Sequence, residues 1–205
     1  MVLCSDEAKE KTMIIYIVIL LGGTLSSFCY SKSKDLSAQI FFLTSCFLIL
    51  FVPAALRYGI GADYFSYCHI YNIYKSGREV IDIEPFMVLL IKCLLLFDLP
   101  SHSLIVAYAF LTNLFVFLGI PKKYFYIGIP VYILVFYLET WCVLRQIFGV
   151  TIIVYVSRLW FEKKYKSAFI FAILAFFNHK SMIIPLFVLF SSSLFPYINT
   201  PNVEF

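Results

Sequence analysis

The sequence predicts an all-α, polytopic membrane helix bundle of about six to eight transmembrane or re-entrant helices. Three observations predict it. The 205 residues are 62% hydrophobic and 20% aromatic with only 14% charged, which leaves too little polar surface for a chain dissolved in water. Apolar stretches recur along the chain, several close to the roughly 20 residues that cross a bilayer. They lack the period-two alternation of barrel strands, and in lipid only helices and closed barrels satisfy every backbone amide. One integral membrane domain over residues 1–205 is expected, without internal repeat, low-complexity tract or soluble domain.

Met13 to Tyr30 forms the first expected span. Lys9 and Lys11 precede it, but no A-x-A-like cleavage pattern follows, so it reads as a retained helix. Ala38 to Leu56 is the second, joined to the first by the polar turn SKSKDLS. Arg57 to Glu84 is the longest polar segment, rich in tyrosine and carrying charges of both signs, and is expected as a loop. Pro85 to Phe97 is apolar over only 13 residues with Lys92 in its middle, so it is expected to dip into the membrane or lie on it. Ser103 to Ile120, Tyr124 to Leu138 and Val143 to Trp160 follow, the middle one short for a crossing. The last apolar region, Ser167 to Phe195, is interrupted by NHKS at 178–181.

Charge sets the expected orientation, because cytoplasmic loops collect lysine and arginine. If Pro85 to Phe97 does not cross, the basic turns at 31–37, 121–123 and 162–166 fall on one side, the cytoplasmic one. The outer side then receives the 57–84 loop, the turn from Glu139 to Gln146 and the region around His179. The net charge of +4 is spread out, so no nucleic-acid partner is expected. The six cysteines contain no CxxC pair and the three histidines are dispersed, so neither a metal nor another cofactor is expected. Cysteines inside apolar runs act as small hydrophobes.

Three places on the outer side carry candidate chemistry. In ALRYGIGADYFSY, Arg57 is followed by Gly59, Gly61 and Asp63 among Tyr58, Tyr64 and Tyr67. GIGADY has no third glycine and no preceding strand, which rules out a dinucleotide fold. A flexible turn with a snorkelling arginine accounts for Arg57 and the glycines, less well for the aspartate and tyrosines. In VLRQIFG, Arg145 and Gln146 open an apolar run. Arg145 is either an interfacial helix cap or a cation that needs a partner at membrane depth. In FFNHKSMIIP, His179 is a structural helix-end residue or an ionisable group placed for function.

Together these motifs form the succession R-x-G-x-G-x-D-Y (Arg57, Gly59, Gly61, Asp63, Tyr64), E-x-F (Glu84, Phe86), L-R-Q (Leu144, Arg145, Gln146) before a basic EKKYK turn, and F-x-H-x-S (Phe177, His179, Ser181). In order and spacing it resembles the EpsG family, which belongs with the Wzy-type polymerases of bacterial surface polysaccharides. The resemblance runs over essentially the whole chain. It departs at Ala62, where threonine is usual, and at Pro85, where glycine commonly follows the glutamate. Family members usually continue through several more helices, so a C-terminally short form is expected.

The resemblance implies a multi-pass glycosyltransferase of the bacterial cytoplasmic (inner) membrane that polymerises lipid-linked repeat units of O-antigen, capsule or exopolysaccharide. Its partners would be a polyprenyl-diphosphate-linked glycan, membrane lipids and other polysaccharide assembly proteins. Planar guanidinium groups match phosphate oxygens, so Arg57 and Arg145, with Gln146, Gly59 and Gly61, are the expected lipid-diphosphate ligands. His179 is the expected catalytic base, and Asp63 and Glu84 are alternative bases or orienters of the arginines. Tyr58, Tyr64 and Tyr67 either stack on sugars or anchor at the interface. No DxD-like motif is present, so no metal is expected. Two other readings stay open. One is an inactive remnant of such a polymerase; the other is a transporter or channel lined by the same charges, although no paired broken helices mark one. An intramembrane acyltransferase using His179 is more distant.

Overall fold

Long apolar runs without a polar backbone partner in lipid must close their own hydrogen bonds, and here each folds as helix. The structure is a computed structural model that describes residues 6–191, with side chains described from Met13 onward. Cys4, the side chains of Lys9 and Lys11, and the end of the last apolar region at 192–195 lie outside it. The elements are α1 (Asp6–Lys32), α2 (Leu36–Leu56), α3 (Tyr64–Lys75), α4 (Pro85–Leu96), α5 (His102–Gly119), α6 (Phe125–Tyr132), α7 (Glu139–Cys142), α8 (Leu144–Phe161), α9 (Tyr165–Asn178) and α10 (Ile183–Ser191). No strand occurs among the described residues. The stretch Met13–Lys32 of α1, together with α2, α5 and α8, is long and apolar enough to cross a membrane, while α4 and α9 are shorter apolar helices.

The helices α6, α1, α2, α5, α8 and α9 follow one another as neighbours, with α3 and α4 set against α5 and α9. Hydrophobic burial does not drive association between lipid-immersed helices, so close packing of small and aromatic side chains has to. Ala168, Ala172 and Ala175 form a buried small-residue stripe on α9, the helix packed against α8. Phe148 gathers Phe86, Tyr108 and Phe115 around it at ring separations of 5.3, 5.7 and 5.7 Å. Two apolar cores result. One joins α3, α4, α8, α9 and α10, the other α1, α2 and α6. Helix α5 serves both, giving Leu104, Ile105, Tyr108 and Phe115 to the first and Ala109 and Val116 to the second.

Tyr124 to Leu138, expected as a run short for a crossing, belongs to a longer and interrupted helical segment that continues to Cys142. A π-helical turn at Ile133–Tyr137 separates α6 from α7. It follows Pro130, which cannot donate a backbone hydrogen bond. The Tyr16 hydroxyl donates to the Ile133 carbonyl at 3.0 Å, supplying a donor where the regular ladder changes.

The polar 57–84 segment differs from the expected loop, because its middle folds as α3. Tyr64, Tyr67 and Tyr71 recur at spacings of three and four, forming one helical stripe, and all three are buried. Each hydroxyl ties α3 to another segment. Tyr71 donates to the Leu99 carbonyl at 2.6 Å, Tyr64 pairs with His102 Nδ1 at 2.9 Å, and Tyr67 accepts from Arg145 Nε at 3.3 Å. Tyr64 and Tyr67 are therefore neither sugar platforms nor interfacial anchors. Tyr58, 77% exposed, is the tyrosine of the trio left at the surface.

The basic turns gather at one end. Ser31 Oγ donates to the Lys122 carbonyl and Lys122 Nζ to the Ser33 carbonyl. Arg158 Nη1 donates to the Leu118 carbonyl at 2.8 Å. The α2–α3 connection, α7, the start of α8 and the α9–α10 break meet at the opposite end.

Candidate functional site

At that opposite end, four segments distant in sequence bring their polar side chains together. Glu84 stands at the N-cap of α4 with Pro85 at the first helical position, where a carboxylate is favoured by the helix dipole and proline is tolerated. Arg145 lies in the first turn of α8, the end at which a cation is disfavoured. The carboxylate supplies the missing counter-charge: Glu84 Oε2 pairs with Arg145 Nη1, and its other oxygen, Oε1, accepts from His179 Nδ1 at 2.9 Å. A carboxylate only accepts, so the Nδ1 nitrogen carries a proton, which leaves Nε2 as the ring position able to accept one.

His179 itself is placed by the end of α9. It caps the helix in extended conformation, and the preceding residue, fully buried Asn178, donates from Nδ2 to the Arg145 carbonyl at 2.6 Å. Arg145 also lies over the Tyr67 ring, 5.7 Å from its centroid. Its side chain remains 27% exposed, against 10% for Glu84, so the guanidinium is held but not sealed.

Burial pushes the Glu84 carboxyl up, but the His179 hydrogen bond, its own backbone N–H and the Arg145 cation outweigh this and hold it below the usual value of 4.5. A depressed folded-state value means stabilisation that is present above the unfolded value and lost as pH falls through the folded one. Acidification below about pH 4.5 is accordingly expected to lower the unfolding temperature of the native protein more than that of Glu84→Gln. Thermal unfolding in detergent across pH 3 to 7 measures the difference, with those limits taken roughly from the carboxylate range.

Arg57 occupies different surroundings. It follows the last residue of α2 and is only 4% exposed. Nη1 donates to the Thr140 carbonyl at 3.2 Å, and the guanidinium stands 5.8 Å from the Trp141 ring centroid. Burial lowers its pKa to about 10, which leaves it charged at neutral pH. Asp63 begins α3 without a side-chain cap bond and pairs with neither arginine. The acid that orients an arginine is Glu84, and the arginine it orients is Arg145.

The glycines of the motif have a packing cause. Gly61 has φ +104°, and a Cβ there would fall onto the Trp141 carbonyl; Gly59 has φ +66° with only the Phe65 ring nearby. The 57–63 turn thus lies flat on α7. Gly61→Ala is expected to lower stability by about 3 kcal/mol, from left-handed strain plus displacement of that turn. Gly59→Ala is expected to cost about 1 kcal/mol. Chemical unfolding of the two variants side by side checks the ranking.

The structure thus brings Glu84, Arg145 and His179 into one cluster and keeps Arg57 and Gly61 beside Trp141, with Gly59 in the same turn next to Phe65. Gln146 is exposed and stands outside both. Sequence reasoning missed Tyr67 and Asn178 as partners of Arg145, and Thr140, Trp141 and His102 as supports of the Arg57 turn. His102 bridges Tyr64 and the Ala55 carbonyl, the latter at 2.8 Å from Nε2. The spacing of Tyr64, Tyr67 and Tyr71 was the signal available for α3. Among the described residues, the buried side-chain polar atoms without a hydrogen-bond partner belong to Arg57, Ser103, Tyr108, Trp141 and Asn178. All lie at this end of the bundle or within two turns of it. Tyr108 stands next to Tyr67, with ring centroids 6.3 Å apart. No group of three or more potential metal-ligating side chains occurs among the described residues.

Fold and site define a polytopic membrane helix bundle with an arginine–glutamate–histidine cluster assembled at one end. The family model described as the EpsG family matches residues 40–199, a span that contains every residue of the cluster. The chain belongs to the EpsG family. No curated protein and no solved structure matches it.

Proposed function

We propose that the chain is a membrane glycosyltransferase that polymerises polyprenyl-diphosphate-linked repeat units of a bacterial surface polysaccharide. The reaction takes place at the outer face of the cytoplasmic membrane. The observation that carries the reading is the convergence of Glu84, Arg145 and His179 from three segments within the family-matched region. The orientation is supported by the basic turns sharing the opposite end, which cytoplasmic loops favour.

A sugar joined to a lipid diphosphate already has a good leaving group. The enzyme has to hold that charge and activate an acceptor hydroxyl. His179 Nε2 takes the proton of the hydroxyl on the incoming repeat unit as that oxygen attacks the anomeric carbon of the growing chain. The bond from the anomeric carbon to the diphosphate oxygen breaks, and the lipid diphosphate leaves with the electron pair. Arg145, exposed on one side, and Arg57 stabilise the charge that develops there. Glu84 stabilises the imidazolium formed on His179 and fixes the tautomer, the role of an orienting carboxylate beside a catalytic imidazole. Asp63, without an arginine partner, is assigned no step.

Deletion of the gene tests the function. Surface polysaccharide is expected to disappear or to stop at single repeat units on its lipid carrier or core. Unchanged chain length would overturn the reading.

A further inference from the structure

The basic end of the bundle holds a cavity of about 420 Å³. Leu43, Thr44 and Phe47 of α2 and Leu114 and Phe117 of α5 form its body, and Lys122 and Arg158 stand in its wall. Thr44 is exposed, and Leu118, which also lines the cavity, is 38% exposed. Helices α2 and α5 are both long and apolar enough to cross a membrane, so the cavity opens on their outer surface, where lipid would meet it.

Both cations are fixed in place yet accessible. Arg158 donates from Nε to Glu162 at 2.7 Å and from Nη1 to the Leu118 carbonyl at 2.8 Å, leaving Nη2 engaged by neither bond, and its side chain is 33% exposed. Lys122 is half-buried. It gives one N–H of its three to the Ser33 carbonyl and lies over the Tyr30 ring, 5.5 Å from the centroid. Arg158 also lines a second cavity, of about 540 Å³, with Lys123, Tyr124, Val154 and Phe161. Glu162 is the one carboxylate in the wall of either cavity, and Arg158 and Lys164 already hold its two oxygens. Cations with donors to spare at the head of an apolar cavity fit an anion that carries a hydrocarbon chain. A zwitterionic head group would bring an ammonium for which neither wall offers an open carboxylate.

We propose that a phospholipid with a net negative head group binds here, its phosphate at Arg158 and Lys122 and an acyl chain in the cavity between α2 and α5. The site stands at the end opposite Glu84, Arg145 and His179, and its occupancy does not depend on the polymerase reading.

Native mass spectrometry of the full-length protein in neutral detergent, titrated with phosphatidylglycerol, counts the lipid. A first phosphatidylglycerol is expected to bind at least about fivefold more tightly than phosphatidylcholine. Lys122→Gln and Arg158→Gln are each expected to weaken that first step by about fivefold, the factor for one cation facing an anionic lipid. Lys34→Gln and Lys166→Gln remove charges from the same end but from neither cavity, and are expected to leave it within about twofold. Thr44→Trp fills the apolar body from an exposed position and keeps every bond of Arg158, so it serves even if Arg158→Gln does not fold; it is expected to weaken the step by about tenfold through the displaced chain. Inorganic phosphate is expected to give no saturable rise in unfolding temperature, whereas phosphatidylglycerol gives one. Equal affinity for the two phospholipids, or unchanged binding in Thr44→Trp or in folded Arg158→Gln, would overturn the site. An equal loss in Lys34→Gln and Lys166→Gln would overturn it too, because diffuse surface charge would then account for binding. Equal stabilisation by inorganic phosphate would overturn the lipid as occupant.

Discussion

Replacing Glu84 with alanine is expected to destabilise the protein by about 2–3 kcal/mol and to abolish polymer formation. Loss of one partner from a sealed ion pair costs about 3–5 kcal/mol; the lower figure allows for the partial exposure of Arg145 and His179. The cause is that one side chain serves two others. Without its carboxylate, Arg145 keeps a cation in the first turn of α8 against the helix dipole, and His179 loses the acceptor that fixes its Nδ1 proton. Glu84→Gln separates the two effects. Its amide oxygen can still accept from one neighbour, while its NH₂ meets a donor on the other. Stability is therefore expected to fall by less than in the alanine variant, with activity still lost. Unfolding temperature and polysaccharide chain length, measured on the same three proteins, resolve the pair.

Replacing Arg145 with alanine is expected to reduce chain elongation by about 10²-fold or more, the cost of removing one preorganised donor to a developing oxyanion. Arg145→Lys is expected to recover only part of it. A lysine ammonium can keep the ion pair with Glu84 but cannot also reach Tyr67 through a planar fork. The Glu84 carboxyl is expected to titrate at higher pH in the alanine variant, because one of the groups holding it down has gone. Elongation rate against the membrane level of each variant distinguishes lost chemistry from lost protein. Equal rates in all three would remove Arg145 from the site.

How much of this was readable from residues alone depends on which interaction did the specifying. Spans such as Ala38 to Leu56 are dictated by transfer from water to lipid, a property that each residue carries locally. Helix α2 starts and stops within a few residues of that run, and the break at NHKS falls where the polar residues stand. Helix α3 was hidden because its buried stripe is built of tyrosines, which count as polar along a chain and as apolar once their hydroxyls have partners. The candidate site was legible as a set of separate positions, since Arg145 and His179 each looked costly where they stood and Glu84 came with the family resemblance. Their pairing was not. The ion pair joins residues 61 positions apart and the His179 bond residues 95 apart, and no local pattern encodes such contacts. Asp63 and Glu84 were equivalent carboxylates in sequence; only the fold sets one against Arg145 and leaves the other at the head of α3. For Gly61, phosphate approach and close packing demand the same residue, and the Trp141 carbonyl supplies the second reason.

The cluster of Glu84, Arg145 and His179 is proposed to elongate a lipid-linked glycan. Reconstitution of the purified protein in liposomes with a polyprenyl-diphosphate-linked repeat unit tests it most directly. A ladder of products spaced by one repeat unit is expected, with release of polyprenyl diphosphate, and loss of the ladder in folded His179→Ala. A folded native protein that returns only the starting unit, or a His179→Ala variant that builds the same ladder, would contradict it.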